Sequence, residues 1–373
     1  MTTLTSPAAA APAPRRPAAG PPPEALALVR RSRTTGRARA VVVSTGLALA
    51  CVAVFAVSLT LGDFRLPLRE VLPAVVGRGG PDADFVVTTL RLPRAVTGVL
   101  VGALFGLSGA VFQSLARNPL ASPDIIGITA GSTTAAVLVI VSGTTVGGTA
   151  GALLAGVPTP VAAFAGGLVS TTLVYLLAYR GGLSAYRLVL VGIGVAAVCT
   201  SLTQWLLTRA EIYDVQQATV WLTGSLNGRG WDDVRVLAVA AAVLVPAVLA
   251  LARPLRALQL GDDTARGTGV PVERTRALLV LVGVGLASSA TAVAGPVSFV
   301  AFLAAPLARR LVRAPLTLVP AALAGSLLVL VADLVARTAF GTTELPVGIV
   351  TGLVGAPYLL WLLTRANRVG RTG

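Results

Sequence analysis

Uncharged apolar stretches alternate with short polar segments along most of the chain, and this alternation predicts its elements. Ala40–Leu61 has 22 residues without a charge, enough for one membrane-spanning helix, which needs about 20. Ala95–Leu115 predicts a second span. Ile125–Tyr179 runs 55 residues without a charge, too long for one helix, and the Gly/Thr/Ser-rich segment Ser142–Gly151 divides it into two. Leu188–Thr208 and Val236–Ala252 follow as the fifth and sixth, the latter with Pro246 inside. Ala277–Ala308 is broken at Gly295-Pro296 into a seventh helix and a short eighth. Ala314–Ala332, running on to about Ala336, and Leu345–Thr364 complete ten spans. The expected fold is therefore an all-α polytopic membrane protein.

The flanks differ in kind. Residues 1–39 are rich in Pro, Ala and Arg, which predicts a disordered tail. The bundle is expected over 40–365, with a polar loop at 252–276 and a short tail at 366–373. In the second span Gly98, Gly102 and Gly106 recur every four residues. That spacing suits close approach of another helix, although glycine is also common in membrane helices generally.

Composition sharpens this picture. The 373 residues are 55% hydrophobic and 12% charged, half the charged share of a soluble domain. Mean hydropathy is +0.82. An ordinary soluble enzyme and a disordered chain are both excluded. All 30 basic residues are arginine; there is no lysine and no histidine. A Walker A phosphate loop lacks its lysine, so ATP hydrolysis of that kind is excluded. Schiff-base lysine, histidine proton relays and histidine metal sites are excluded with it. Cys51 and Cys199 both fall in apolar runs and read as small core residues. No cofactor is expected.

The net charge of +15 is unevenly placed. With the N-terminus in the cytoplasm and ten alternating spans, 21 arginines fall inside and nine outside. Adding the acids leaves +16 inside, zero outside and −1 at Asp333 near a span end. The excess is thus an orientation label of the positive-inside kind, with both termini cytoplasmic, rather than a nucleic-acid patch.

Three polar segments carry more than topology. Arg91 and Arg94 in RLPR lie three apart at the external surface, as a socket for carboxylates or as interfacial anchors. The inner loop LGDDTARGTGVPVERTR, Leu260–Arg276, reads as a protein-docking element or a solvated connector. Asp333 and Arg337, four apart on one helix, can pair locally. A lone aspartate near a span end favours a structural or docking role over ion coupling.

These segments together resemble one family, the FecCD/BtuC-like permeases of binding-protein-dependent ABC importers for iron–siderophores, haem and cobalamin. The resemblance runs from about Leu61 to Arg365 and rests on RLPR, FQSLARNPLASPDIIG, WLTGSLNG, LGDDTARGTGV, AGPVSFVAF and ADLVAR with LPVGIVT. Within the family, the second permease of the ferric-enterobactin system is most similar in motifs. The resemblance implies a BtuC-like bundle in the cell membrane that pairs with a second permease, two cytoplasmic ATPases and an external siderophore-binding protein. Its implied cargo is a ferric siderophore of catecholate type, with haem or cobalamin as the alternative. It implies binding-protein docking at Arg91, Arg94 and Arg337. It implies ATPase coupling at Leu260, Gly261, Asp262, Asp263, Ala265 and Gly269. It implies a cytoplasmic gate at Asn118, Pro119, Leu120 and Ser184. Two positions depart from the pattern: Leu307 stands where the family usually has histidine, and Thr268 where leucine is usual. An ion-coupled secondary transporter remains the competing class, with Asp333 its one candidate coupling site.

Overall fold

A computed structural model describes residues 23–62, 64, 66–124, 126–145, 151, 153, 154, 156–179, 185–339 and 344–369. The main elements among them are all helical: α1 Pro23–Thr60, α2 Leu68–Val75, α3 Pro81–Leu115, α4 Ile128–Thr145, α5 Thr159–Ala178, α6 Ala185–Arg209 and α7 Ile212–Leu222. They continue with α8 Trp231–Ala250, α9 Ala252–Gln259, α10 Asp262–Gly267, α11 Val272–Ala294, α12 Val300–Val312, α13 Leu318–Thr338 and α14 Val347–Val369.

Among the described residues seven helices are long and apolar enough to cross a membrane: α1, α3, α5, α6, α8, α11 and α13. The difference from the ten expected spans falls on α4, α12 and α14. Ile128–Ser142 and Val347–Leu362 are apolar but short. With 13 residues, α12 is about 20 Å long and does not span alone.

Two starts are corrected. The first helix begins at Pro23, so residues 23–39 are helical where a disordered tail was expected. Proline suits a first turn, and the Glu-Ala-Leu-Ala-Leu that follows favours helix. The second span begins not at Ala95 but at Pro81, and passes through a π-helical stretch over Phe85–Arg91. Arg91 and Arg94 interrupt the uncharged run, so the charge pattern hides this extension.

Glycine spacing sets the centre of the bundle. A Cβ at Gly102 would collide with the Gly325 backbone, and one at Gly106 with the Ala321 carbonyl. Helices α3 and α13 therefore touch backbone to backbone, as the four-residue repeat predicts. Gly98 departs from this: it faces the side chains of Leu226, Leu330 and Val329. Ser326 Oγ donates to Val99 O at 2.8 Å and Ser108 Oγ to Gly283 O at 2.7 Å, tying α13 and α11 to α3. Helices α3 and α11 are mostly buried, whereas α1, α6 and α8 expose apolar faces. Val41, Val42, Ile193, Val198, Val239 and Val243 are all exposed on them. Lipid is the solvent in which such surface is stable.

The break after the seventh span lies where the sequence placed it. Helix α11 ends at Ala294, Gly295 turns at φ +73°, and α12 starts at Val300. Ser225 N–H donates to Ala294 O at 2.8 Å, and Gly348 N–H to Gly224 O at 3.1 Å. WLTGSLNG, AGPVSFVAF and LPVGIVT thus meet at one junction. Unwound backbone is tolerated at such a place because protein surrounds it.

Candidate functional sites at the two ends of the bundle

Arg94 lies in the opening turn of the Leu92–Leu115 segment of α3, and Arg117 follows its end. At 1.5 Å per residue they are about 34 Å apart, comparable to the hydrocarbon thickness of a bilayer.

At the Arg94 end, Asp333 of α13 sits between two arginines. Arg94 donates to Asp333 Oδ1 through Nε at 3.1 Å and NH2 at 3.0 Å. Arg337 approaches Asp333 Oδ2 at 3.2 Å, one helical turn away. Arg94 NH1 donates to Glu344 Oε2 at 3.0 Å. Two arginines and two carboxylates balance, and only Glu344 is substantially exposed, at 36% of its side chain. Arg337 also turns toward the carbonyls of Ser58 and Leu61, each at 3.4 Å. The pair expected between Asp333 and Arg337 is present, and Arg94 joins it.

Arg91 does not belong to this group. It is buried, donating to Leu59 O at 2.8 Å and to Phe64 O, so it caps the end of α1. Its side chain is largely buried, as are those of Arg94 and Arg337, and all three line the cleft at this end. Beside the cluster lies a cleft of about 360 Å3 lined by Arg94, Arg229, Asn227 and Glu344. It adjoins a cavity of about 640 Å3 lined by Trp221, Gln217, Ser225 and Pro346.

At the other end the inner loop is structured. Helix α9 fills its first part and α10 its middle. Gly261 precedes α10 at φ +118°, which only glycine adopts readily. Asp262 and Asp263 open α10, where the helix dipole favours acids. Ala265 is fully buried in the main core and Leu260 is exposed. Gly269 turns the chain at φ +82° toward α11. Asp263 pairs with Arg266 at 3.1 Å on the surface.

Asp262 is the hub. Its carboxylate meets Arg276 NH2 at 3.0 Å and Arg117 NH2 at 2.9 Å. Partial burial raises its pKa, but the hydrogen bond and charge of Arg276, with Arg117 and Arg266, outweigh this and hold it below the usual carboxylate value. Arg117 also donates to Leu258 O through Nε at 3.1 Å and NH2 at 2.6 Å. Asn118 and Pro119 are exposed, and Asn118 Oδ1 accepts the Leu120 N–H at 2.9 Å. Ser184 lies outside the described residues. Arg117 and the part-buried Gln113–Arg309 pair were not singled out from sequence. The available signal was an arginine at the close of a helix, where glycine is usual.

No cluster of three metal-ligating side chains occurs among the described residues. Cys51 is a buried free thiol that donates to Leu323 O at 3.4 Å.

Apolar spanning helices, one polar cluster at each end and an unwound central break define a class: an integral membrane transport subunit. The chain belongs to the FecCD transport family, whose profile matches residues 49–365. It is 40% identical over 325 residues to the ferric enterobactin transport system permease protein FepG of Escherichia coli, covering 86% of this chain and 95% of that one. It is 37% identical over 317 residues to a siderophore transport system permease protein, YfhA, of Bacillus subtilis, covering 84% and 92%. Cobalamin import permease BtuC of Halobacterium salinarum is 34% identical over 290 residues, covering 75% and 74%. Among solved structures, an inward-facing metal-chelate type ABC transporter superposes with TM-score 0.73 at 27% identity, covering 87% of this chain and 99% of that one.

Proposed function

We propose that this chain is the permease subunit of an ATP-driven, binding-protein-dependent importer of ferric siderophores, of catecholate type. The observation that carries this reading is the division of labour between the two ends, in a chain without a Walker lysine. A carboxylate-binding arginine cluster stands at one surface and a hydrogen-bonded acidic helix at the other. Ten spans, with α4, α12 and α14 as the short ones, leave both termini cytoplasmic. A second permease completes the pathway, and two ATPase chains supply the energy. Relatives named for ferric enterobactin and other siderophores support the cargo.

An external binding protein docks at the end that carries Arg91, Arg94 and Arg337, which line one cleft. Glu344 holds the place that an incoming carboxylate would take. Such pairing sets orientation and on-rate more than affinity. Coupling runs through Leu260, Gly261, Asp262, Asp263, Ala265 and Gly269, and the cytoplasmic gate includes Asn118, Pro119, Leu120 and Ser184.

The test is uptake of a labelled ferric catecholate chelate by the reconstituted complex. Uptake is expected to need ATP and the loaded binding protein, and to resist excess haem or cobalamin. Uptake that survives ATP depletion and collapses with an ion gradient would overturn the reading.

A further inference from the structure

The end of α3 closes in a Schellman motif. Asn118 N–H donates to Gln113 O at 3.2 Å and Arg117 N–H to Ser114 O at 3.3 Å. The residue between cap and exit adopts the left-handed conformation, with φ +49° at Arg117. Glycine is the usual occupant because a Cβ is strained there. An arginine in that place carries a standing strain that glycine would remove.

Its side chain shows what the strain accompanies. The guanidinium grips Leu258 O, in the last turn of α9, with two N–H groups, and reaches Asp262 at the start of α10. Both partners of the ion pair are a third or more exposed, at 47% and 35% of their side chains. Ion pairs so exposed contribute little to stability. The Leu258 carbonyl also accepts the Gly261 N–H at 3.3 Å, so a glycine at 117 would not leave it without a partner. The strained arginine is therefore poorly explained as a stabilising device and well explained as a positional one.

Its neighbours give the position meaning. On one side Asp262 is also gripped by Arg276 of α11, so α10 is held to a spanning helix. On the other side the chain runs directly into Asn118-Pro119-Leu120, which Asn118 Oδ1 folds into a tight turn. We propose that Arg117 is the positioning residue that couples the two: a displacement of α9–α10 reaches the 118–120 turn through its guanidinium. This rests on the reading of α10 as the ATPase-facing helix and of 118–120 as part of the gate.

The experiment uses the complete importer in liposomes, with Arg117→Gly, Arg117→Lys and Asp262→Asn variants. Arg117→Gly relieves the backbone, so its thermal unfolding midpoint stays level or rises while chelate transported per ATP falls about tenfold, within the usual range of coupling effects. Arg117→Lys recovers part of that ratio, and Asp262→Asn loses part. A ratio unchanged in Arg117→Gly overturns the proposal, as does a loss matched by lowered unfolding midpoint in all three variants. Absence of ATP-driven uptake in the parent complex would instead count against the permease reading. A second measurement needs no chelate. In a Cys51→Ser, Cys199→Ser background, spin labels at Pro119→Cys and Thr264→Cys should keep one separation through the nucleotide cycle. In Arg117→Gly that distance distribution should broaden; if it matches the parent's, Arg117 transmits nothing.

Discussion

Asp333 lies between Arg94 and Arg337 with its side chain 5% exposed. Removing one partner of a buried ionic group leaves the others uncompensated, which costs about 3–5 kcal/mol. Asp333→Ala should therefore lower the unfolding midpoint of the purified protein steeply, and Asp333→Asn, which keeps the hydrogen-bonding shape, less so. Asp262 makes a different prediction. Its carboxyl is held below the ordinary value, so its stabilising contribution is whole above that value, about 4, and is lost as pH falls through the depressed one. The stability gap between parent and Asp262→Asn should stay constant through the neutral range and narrow only in strong acid. A gap that changes near neutrality would show that another group controls it. At this scale the sequence was half legible. Asp333 and Arg337 could be paired because four residues make one helical turn. Arg91 could not be placed, because the carbonyls it caps, Leu59 and Phe64, lie on a separate segment.

Among elements, the contact of α3 with α13 is the most sensitive to volume. Gly106 abuts the carbonyl of Ala321, so Gly106→Leu has no space to occupy. The helices must separate, at a cost of roughly 1–3 kcal/mol or more. Folded yield in detergent should fall sharply, whereas Gly352→Leu, with open space around the site, should be tolerated. Period-four glycine and the Gly295-Pro296 break were readable because both are local. Helix α7 was not: Glu211 and Asp214 interrupt the apolar run, and its 11 residues are too few for a span. The short helices α9 and α10 were likewise hidden in what read as a loop. Their burial of Leu255, Leu258 and Ala265 depends on neighbours distant in sequence.

For the whole molecule, the arginine distribution predicts sidedness. Single cysteines at Thr264 and at Gly228, in the cysteine-free background, should react with an impermeant thiol reagent from opposite faces of the membrane. Labelling from the same face would invert or break the proposed ten-span path. The class of protein was legible from hydropathy and missing lysine, both global sums over the chain. The span count was less so, because α4, α12 and α14 are short apolar helices and hydropathy does not measure their depth.

The junction of α3 with α13 has a mechanical consequence. The two helices meet backbone to backbone at mid-length and are riveted by Arg94 and Asp333 near one end. Two rods joined at two points resist sliding and bend only together. They act as a stiff beam, and a beam passes on rotation without dissipating it. Whatever opens and closes this molecule must turn around that beam or move beside it. The unwound turn between α11 and α12 is itself held, by the bond from Ser225 N–H to Ala294 O.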